Sequence, residues 1–432
     1  MRTSDFFNTQ FKAFSQQDNV RSIPSLVDGL KDSQRKAIHG MRKNGNREIK
    51  VSQLAEIASK ETHYEHGGVS LEGTIVKLAQ RFPGANNLNM FEPIGQFGSI
   101  LGSEAGASRY IFTKPAPAMS KVFKADDDLI LEWKTVDGEG VEPRHFYPTI
   151  PLWAINGSDG IGTGYRSLIL ARDPKQVAKA IKDIVRGKTP KEVPPSFTGW
   201  TGDVSRETER KWVLSGKIER VNTTKVIITE ILPGIGVDKV KERLVKLIDN
   251  GDIKDYNNFS SEDQINIEVI GPRKTFLQDD DTLMRLFGLV KPVTEQVNLW
   301  SPDGKIVQYS GYMEALEVFV SYKLGTVGSR IAAMIESLHV DMLWHEAMVA
   351  FIDMWNRTDN ITKLTKEQLV DKILSSGIDE SYVDRLVGMR LMSITDENKQ
   401  KLLDKIESIR QEIEALTNTS PDDMYCADLS EI

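Results

Sequence analysis

The apolar positions change their spacing along the chain. Val51, Leu54, Ile57 and Ala58 recur at helical spacing within VSQLAEIASKET, and Leu71, Ile75, Leu78 and Phe82 do so within VSLEGTIVKLAQRF. Each set forms one apolar stripe, so each segment is predicted to be a helix that buries one side. HYEHGG lies between them, and its paired glycines suit a tight turn. Two helices joined in this way make a helix-turn-helix candidate whose second helix could lie on a DNA groove. Just upstream, Ala37, Ile38 and Met41 supply the apolar side of a shorter helix capped by Asp32 or Ser33, while Arg35, His39 and Arg42 share another side.

From about Arg166 to Val290 the spacing shortens. The β-branched runs TTKVIITEI and INIEVI read as strands, and VDKVKERLVKLIDNG between them reads as an amphipathic helix, so a mixed α/β domain is expected. Farther on, Val320, Leu324, Val327, Ile331, Met334 and Leu338 alternate fours and threes, as do Leu402, Ile406, Ile409, Ile413 and Leu416. Those are two a/d seams, and the helical stretch between them suggests an antiparallel coiled coil ending in a dimer contact. Gly325 and Gly328 interrupt the first seam at a cost on the order of 1 kcal/mol each relative to alanine, which marks a candidate bend.

A length of 432 residues exceeds one ordinary core and implies two to four domains. The net charge of -7 excludes a protein that coats nucleic acid as a polycation, so any such contact must be local. One segment is locally basic: KDSQRKAIHGMRKNGNREIK carries Lys31, Arg35, Lys36, Arg42, Lys43, Arg47 and Lys50 against Asp32 and Glu48. The polar start lacks the apolar stretch of a signal peptide, and no apolar run is long enough to span a bilayer. Cys426 is the sole cysteine, which excludes an internal disulfide and a cysteine zinc site and fits a reducing cytoplasm.

Three stretches carry candidate chemistry. In GASRYIFTKPAP, Arg109 directly precedes Tyr110, which either packs its ring and hydrogen-bonds its hydroxyl or uses that oxygen as a nucleophile. INGSDGIGTGY is not followed by the Gly-Lys-Ser/Thr of a phosphate loop; it reads as a tight turn or bulge, with Ile161 between Gly160 and Gly162 able to wedge into a base step. Gly67 and Gly68 at a helix start would present backbone N–H groups to a phosphate, with His66 beside them. The acidic runs Asp126–Asp128 and Asp279–Asp281 read as solvated turns, because adjacent carboxylates seldom converge on one ion.

RSIPSLVDGLKDSQRKAIHGM, REIKVSQLAEIASKETHYEHGG, TIVKLAQRFPGANNLNMFEPIGQFGSILGSEAGASRYIFT and PLWAINGSDGIGTGY occur in that order. Together they resemble the DNA breakage-reunion region of type IIA DNA topoisomerases, and the resemblance continues through SGKIERVNTTKVIITEILPG and DIKDYNNF to SPDDMYCADLSEI. Eukaryote-like wording on a separate short chain is most similar to the split bacteriophage form of that family. The resemblance implies a mixed α/β multidomain fold: a winged-helix DNA cleavage domain over 1–165, an α/β tower over 166–300, and a coiled coil over 301–432 with a dimer-gate insert at about 346–392. It implies that Tyr110 forms a transient 5'-phosphotyrosine bond with double-stranded DNA and that Arg109 stabilises the reacting phosphate. Arg21, Lys31, Arg35 and Lys36 match basic residues around the cleaved backbone, His66 the histidine of the family's Tyr-His-His-Gly motif, and Ile161 its intercalating isoleucine. Glu65 departs from that motif, and the loop from Phe97 to Arg109 has the shorter bacterial length. No toprim or ATPase pattern is found in the sequence. The resemblance therefore implies a homodimer working with a separate large subunit that binds Mg2+ and ATP, in the cytoplasm of an infected bacterial cell. With no DNA-wrapping domain in sight, relaxation and decatenation are the expected outputs. A DNA-bending protein without chemistry and a structural coiled-coil dimer are the other readings, and covalent trapping on DNA separates the first from both.

Overall fold

The computed structural model describes residues 3–390 and 393–432. The chain divides into two compact units, one of residues up to Lys323 together with Tyr425–Ile432, the other Leu324–Met424.

In the first unit, three helices, Asp32–Lys43, Val51–Glu61 and Gly68–Ala79, pack on one another. Val51, Leu54, Ala58, Leu71, Ile75 and Leu78 are buried as their spacing requires. Phe82 falls beyond the third helix and is half-buried. A Cβ on Gly40 would lie 2.6 Å from that of Ala58, so only glycine lets the first two helices approach this closely. The turn before the third helix places Gly67 and Gly68 at the helix start, as expected, but the chain reverses elsewhere than at the glycines. His63 takes the left-handed conformation at φ 46°, while Gly67 caps the helix at φ -59° and Gly68 begins it. A small antiparallel sheet, ordered Ile49–Lys50, Phe112–Pro115, Phe91–Ile94, flanks the helices, with Ile49 opposite Thr113 and Glu92 opposite Lys114.

Beyond this lies a four-stranded antiparallel sheet in the order Lys217–Asn222, Lys225–Glu230, Ile267–Ile270, Asp255–Asn258. The Val237–Asp249 helix lays Val237, Val240, Leu244 and Leu247 into its core, as the amphipathic pattern anticipates. A three-stranded sheet, Val290–Thr294, Lys211–Ser215 and Asp203–Arg206, lies beside a second apolar cluster.

The Tyr312–Arg357 helix begins in the first unit and runs 46 residues without a break, through both Gly325 and Gly328. In the second unit it pairs with Asp396–Thr417: Glu346 with Arg410 at 3.0 Å, Asp353 with Lys399 at 2.5 Å, Asn356 with Asp396 at 3.3 Å. The first partner number rises as the second falls, so the pair is antiparallel, as the two seams require. Leu402, Ile406 and Ile409 are buried. Between the helices, Ile361, Ile373, Ile378, Val383 and Leu386 close a core with Ala347, Phe351 and Met354. The last two positions of the expected insert, 391 and 392, lie outside the described residues. No helix among the described residues is long and apolar enough to cross a membrane.

Candidate active site and nucleic-acid interface

Tyr110 sits on a tight turn, its N–H donating to the Ala107 carbonyl at 2.9 Å. The carbonyls on either side of the Arg109–Tyr110 pair are tied down: Ser108 O accepts from Ser52 N at 3.3 Å and Ile111 O from Val51 N at 3.1 Å. Those donors are the spare N–H groups at the start of the Val51–Glu61 helix, so the turn is fastened to a rigid element. The pair itself points outward. Tyr110 is 71% exposed, and the Arg109 guanidinium stands 4.8 Å from the centre of its ring. A tyrosine kept for packing would be buried, whereas this phenol is presented to solvent beside a positive charge.

A second cluster forms around the 158–169 hairpin. Strands Ser158–Gly162 and Tyr165–Ile169 pair with Ile161 opposite Arg166, and Ile161 is 71% exposed. The glycines flanking it serve close approach. A Cβ at Gly160 would fall 1.9 Å from Ser22 O, and one at Gly162 2.1 Å from Asn19 Oδ1. Asn19 Nδ2 also donates to Thr163 O at 3.1 Å, and Thr163 Oγ1 to Asp18 Oδ2 at 2.7 Å, so the Lys12–Ser22 helix braces the hairpin. Lys31 Nζ donates to Asp159 O at 2.9 Å on the same hairpin. Burial and neighbouring Lys77 lower the Lys31 pKa, with Asp159 opposing them. Lys31 and Lys77 line one groove of about 650 Å³, where a bound anion would relieve their repulsion.

Arg21 is exposed and shares a smaller hollow with Asp18, Ser22, Asp32, Ser33, Tyr64 and Ser70. The Tyr64 ring meets His66 edge-on, centroids 5.3 Å apart, directly before the Gly68–Ala79 helix. That helix start carries no side-chain cap, which leaves its N–H groups open to an anion. Among the described residues, no hydrogen bond or ion pair joins Arg109 or Tyr110 to Arg21, Lys31, His66 or Ile161. Sequence reasoning passed over Lys77, Tyr64 and Asn19. Lys77 had a signal as the one lysine in VSLEGTIVKLAQRF, and Tyr64 stands at the tyrosine of the Tyr-His-His-Gly motif.

Arg35 and Lys36 need correcting. Arg35 is 6% exposed, its Nε and Nη2 donating to the two oxygens of fully buried Asp28 at 2.8 and 3.1 Å. Burial works against its charge, but Asp28 raises its pKa. Lys36 Nζ turns inward to Glu142 Oε1 at 2.8 Å, and Lys134 meets the same oxygen at 2.7 Å. His39, expected beside Arg35 on the side away from Ala37, Ile38 and Met41, is buried against Trp133. The hairpin Trp133–Val136/Glu139–Pro143 supplies the carboxylate of Glu142 that turns this side of the helix into an internal ionic network. The cap also shifts, to Lys31, whose N–H donates to Gln34 Oε1 at 2.8 Å.

The acidic runs are engaged within the protein. Asp128 pairs with Arg42 at 2.8 Å, and Asp127 is buried against Lys323 rather than solvated. Asp279 caps the Asp280–Phe287 helix, Asp280 meets Arg220, and Asp281 meets Arg285. No cluster of three potential ligands exists among the described residues. These side chains do not fit a magnesium site.

A family profile for the A-type chain of DNA gyrase/topoisomerase IV matches residues 21–430. DNA topoisomerase 2 of Meyerozyma guilliermondii is 32% identical over 99% of this chain and 35% of its own length. DNA topoisomerase 2 of Invertebrate iridescent virus 6 is 30% identical over all of this chain and 39% of its own. The chain thus spans roughly a third of the length of these relatives. A crystal structure of the Plasmodium falciparum topoisomerase II DNA-binding, cleavage and re-ligation domain superposes with a TM-score of 0.93 at 29% identity, covering 99% of this chain and 63% of that one. The profile match over almost the whole sequence, the shared mixed α/β fold and the exposed Arg109–Tyr110 pair lead to one assignment: this protein belongs to the DNA gyrase/topoisomerase IV A-type family of type IIA topoisomerases.

Proposed function

We propose that this chain is the DNA-cleaving subunit of an ATP-dependent type IIA topoisomerase of the T-even bacteriophage kind, acting in the infected bacterial cytoplasm. The observation that carries the reading is Tyr110, a phenol held outward on a braced turn with Arg109 against its ring. Its oxygen attacks a backbone phosphorus, the P–O3' bond breaks, and the 5' phosphate stays on the tyrosine. The phenol proton leaves with a base outside this pair, because the Arg109 guanidinium stays protonated and serves to offset charge on the phosphoryl oxygens. Return attack by the 3' hydroxyl releases Tyr110 and reseals the strand. One phosphoester replaces another at each step, so the chemistry itself needs no ATP.

The three helices and flanking sheet correspond to a winged-helix unit, and we assign 1–165 to cleavage, 166–300 to the tower and 301–432 to the coiled coil and its dimer gate. Two copies form a homodimer whose tyrosines cut opposite strands of double-stranded DNA, so that a second duplex can pass. Arg21, Lys31 and His66, with Lys77, receive the phosphate backbone, and Ile161 wedges the duplex open. Arg35 and Lys36 act from behind, holding the helix that presents Lys31. Mg2+ and ATP belong to a separate large subunit, where the metal supplies charge neutralisation at the scissile phosphate. The test mixes both subunits with DNA end-labelled at the 3' side of each break, denatures the reaction, and digests the protein to a peptide. The expected product is a peptide on 5' ends linked through Tyr110. DNA that is bent but never covalently attached would identify a purely architectural protein.

A further inference from the structure

The segment before the nucleophile is a closed loop with one end in the helix-and-sheet layer of the tower. Gly106 N donates to Gln96 O at 2.8 Å and closes its neck. Inside, Ser99 N meets Gly102 O at 2.8 Å, and Gln80 Nε2 reaches Phe97 O and Ser103 O at 2.9 and 3.0 Å. The tip leaves that frame. Ile100 and Leu101 are half-buried and pack against the core formed by Val237, Val240, Leu244 and the four-stranded sheet. Their carbonyls accept from the first two N–H groups of the Val237–Asp249 helix, Val237 N to Ile100 O at 2.9 Å and Asp238 N to Leu101 O at 3.3 Å. The helix start is therefore satisfied by the loop rather than by water or a side-chain cap. Four residues beyond the neck stands Tyr110, whose turn is pinned on its other side by the Val51–Glu61 helix.

We infer that Ile100 and Leu101 are positioning residues for Tyr110: they anchor the nucleophile's loop in the tower core, so that the tower sets where the phenol stands against the phosphate. This rests on Tyr110 being the nucleophile. A loop tip used only for stability would not need to reach the tower. Here one apolar pair and two backbone hydrogen bonds form a continuous chain from the tower helix to the reacting side chain. A misplacement of about 1 Å at a reacting atom costs on the order of a hundredfold in rate, so a loosened anchor should show first in chemistry.

Two variants attack the anchor differently, each assayed as the DNA complex with the large subunit present. Ile100→Ala combined with Leu101→Ala removes the apolar contact. Val237→Pro keeps both loop side chains, deletes the N–H that holds Ile100 O and exchanges the buried Val237 side chain for a proline ring. Val237→Ala, which trims the side chain but keeps the N–H, is its control and should cleave faster than Val237→Pro. Proline suits this first helical position, and Gly236 before it is already extended at φ -77°, ψ 157°. The measured quantities are the single-turnover rate of covalent adduct formation at saturating DNA, and DNA affinity. Both variants should cleave about tenfold more slowly or worse with affinity within about twofold of wild type, while Leu101→Ile retains the rate. Wild-type rates in both variants, or rate losses matched by equal losses of affinity, would overturn the anchor. A Tyr110→Phe control separates the two ideas: adduct in that control defeats the nucleophile assignment, whereas its absence leaves the anchor to be decided by the rates.

Discussion

Arg35 and Lys31 show how two cations four residues apart come to do different work. Arg35→Ala strips the partner from a carboxylate sealed inside the protein, so it should lower stability by about 3–5 kcal/mol in denaturant titration. Lys31→Ala should leave stability nearly unchanged, weaken DNA binding, and reduce the salt slope of affinity by about 1. Equal effects of the two on stability would mean the ion pair with Asp28 is not maintained in solution. Sequence alone could not separate them. Helical spacing puts Arg35, His39 and Arg42 on one side, but periodicity does not show that Asp28 takes Arg35, Trp133 covers His39 and Asp128 takes Arg42. The Arg109–Tyr110 pair stood out because its neighbours resemble a known cleavage region, and the structure adds the exposure of Tyr110, which spacing cannot supply.

At the scale of elements, the 158–169 hairpin should behave as one part. Ile161→Ala removes the wedge and should reduce DNA bending and cleavage while leaving dimerisation intact. Gly160→Ala forces a methyl into Ser22 O and should displace the whole hairpin, lowering bending even with Ile161 present. A fluorescence-transfer bend angle unchanged in both variants would remove the hairpin from DNA deformation. The Asp32–Lys43 helix carries a pH signature. Burial, then Lys43, holds the His39 pKa below its ordinary 6.5, so the unfolded chain binds a proton that the folded chain resists. Stability from this site is complete above 6.5 and declines as pH falls below it. Asp32 adds to the decline in more acid solution: burial opposes its charge, but Lys134, Lys36 and Arg35 hold its carboxyl below the ordinary range. His39→Phe should flatten the melting-temperature profile just below pH 6.5, and an unaltered slope would show that the ring is not held neutral. Long periodic elements were readable in advance, including the Val237–Asp249 helix and both seams, because burial of one stripe dictates their spacing. The left-handed His63 was not, although the place of Gly67 and Gly68 at the helix start was.

At the scale of the whole molecule, the proposed function divides labour between this chain and a large subunit. Asp127, Asp128, Asp280 and Asp281 pair with cations of this chain and Asp279 caps a helix, so the isolated protein should bind DNA weakly and cleave it poorly. Adding the large subunit should restore magnesium-dependent cleavage. Efficient metal-dependent double-strand cleavage by the isolated chain would place the metal ligands here after all. The antiparallel order of the second unit could be read from two matched seams, whereas the buried Arg172–Glu295 pair, with Trp212 donating to the same carboxylate, had no local sequence signal because its members lie 123 and 83 residues apart.

The most direct measurement is the amount of protein covalently joined to DNA 5' ends when Tyr110→Phe replaces the wild-type chain in the complete, magnesium-supplied enzyme. The substitution keeps the ring and removes only the hydroxyl, which among the described residues makes no hydrogen bond within the protein, so folding and DNA affinity should hold. Adduct should fall to background while the Arg109→Lys enzyme, retaining the charge but not the planar fork, still accumulates it slowly. Tyr110→Phe enzyme that yields 5'-linked protein at the wild-type level would contradict the account at its centre.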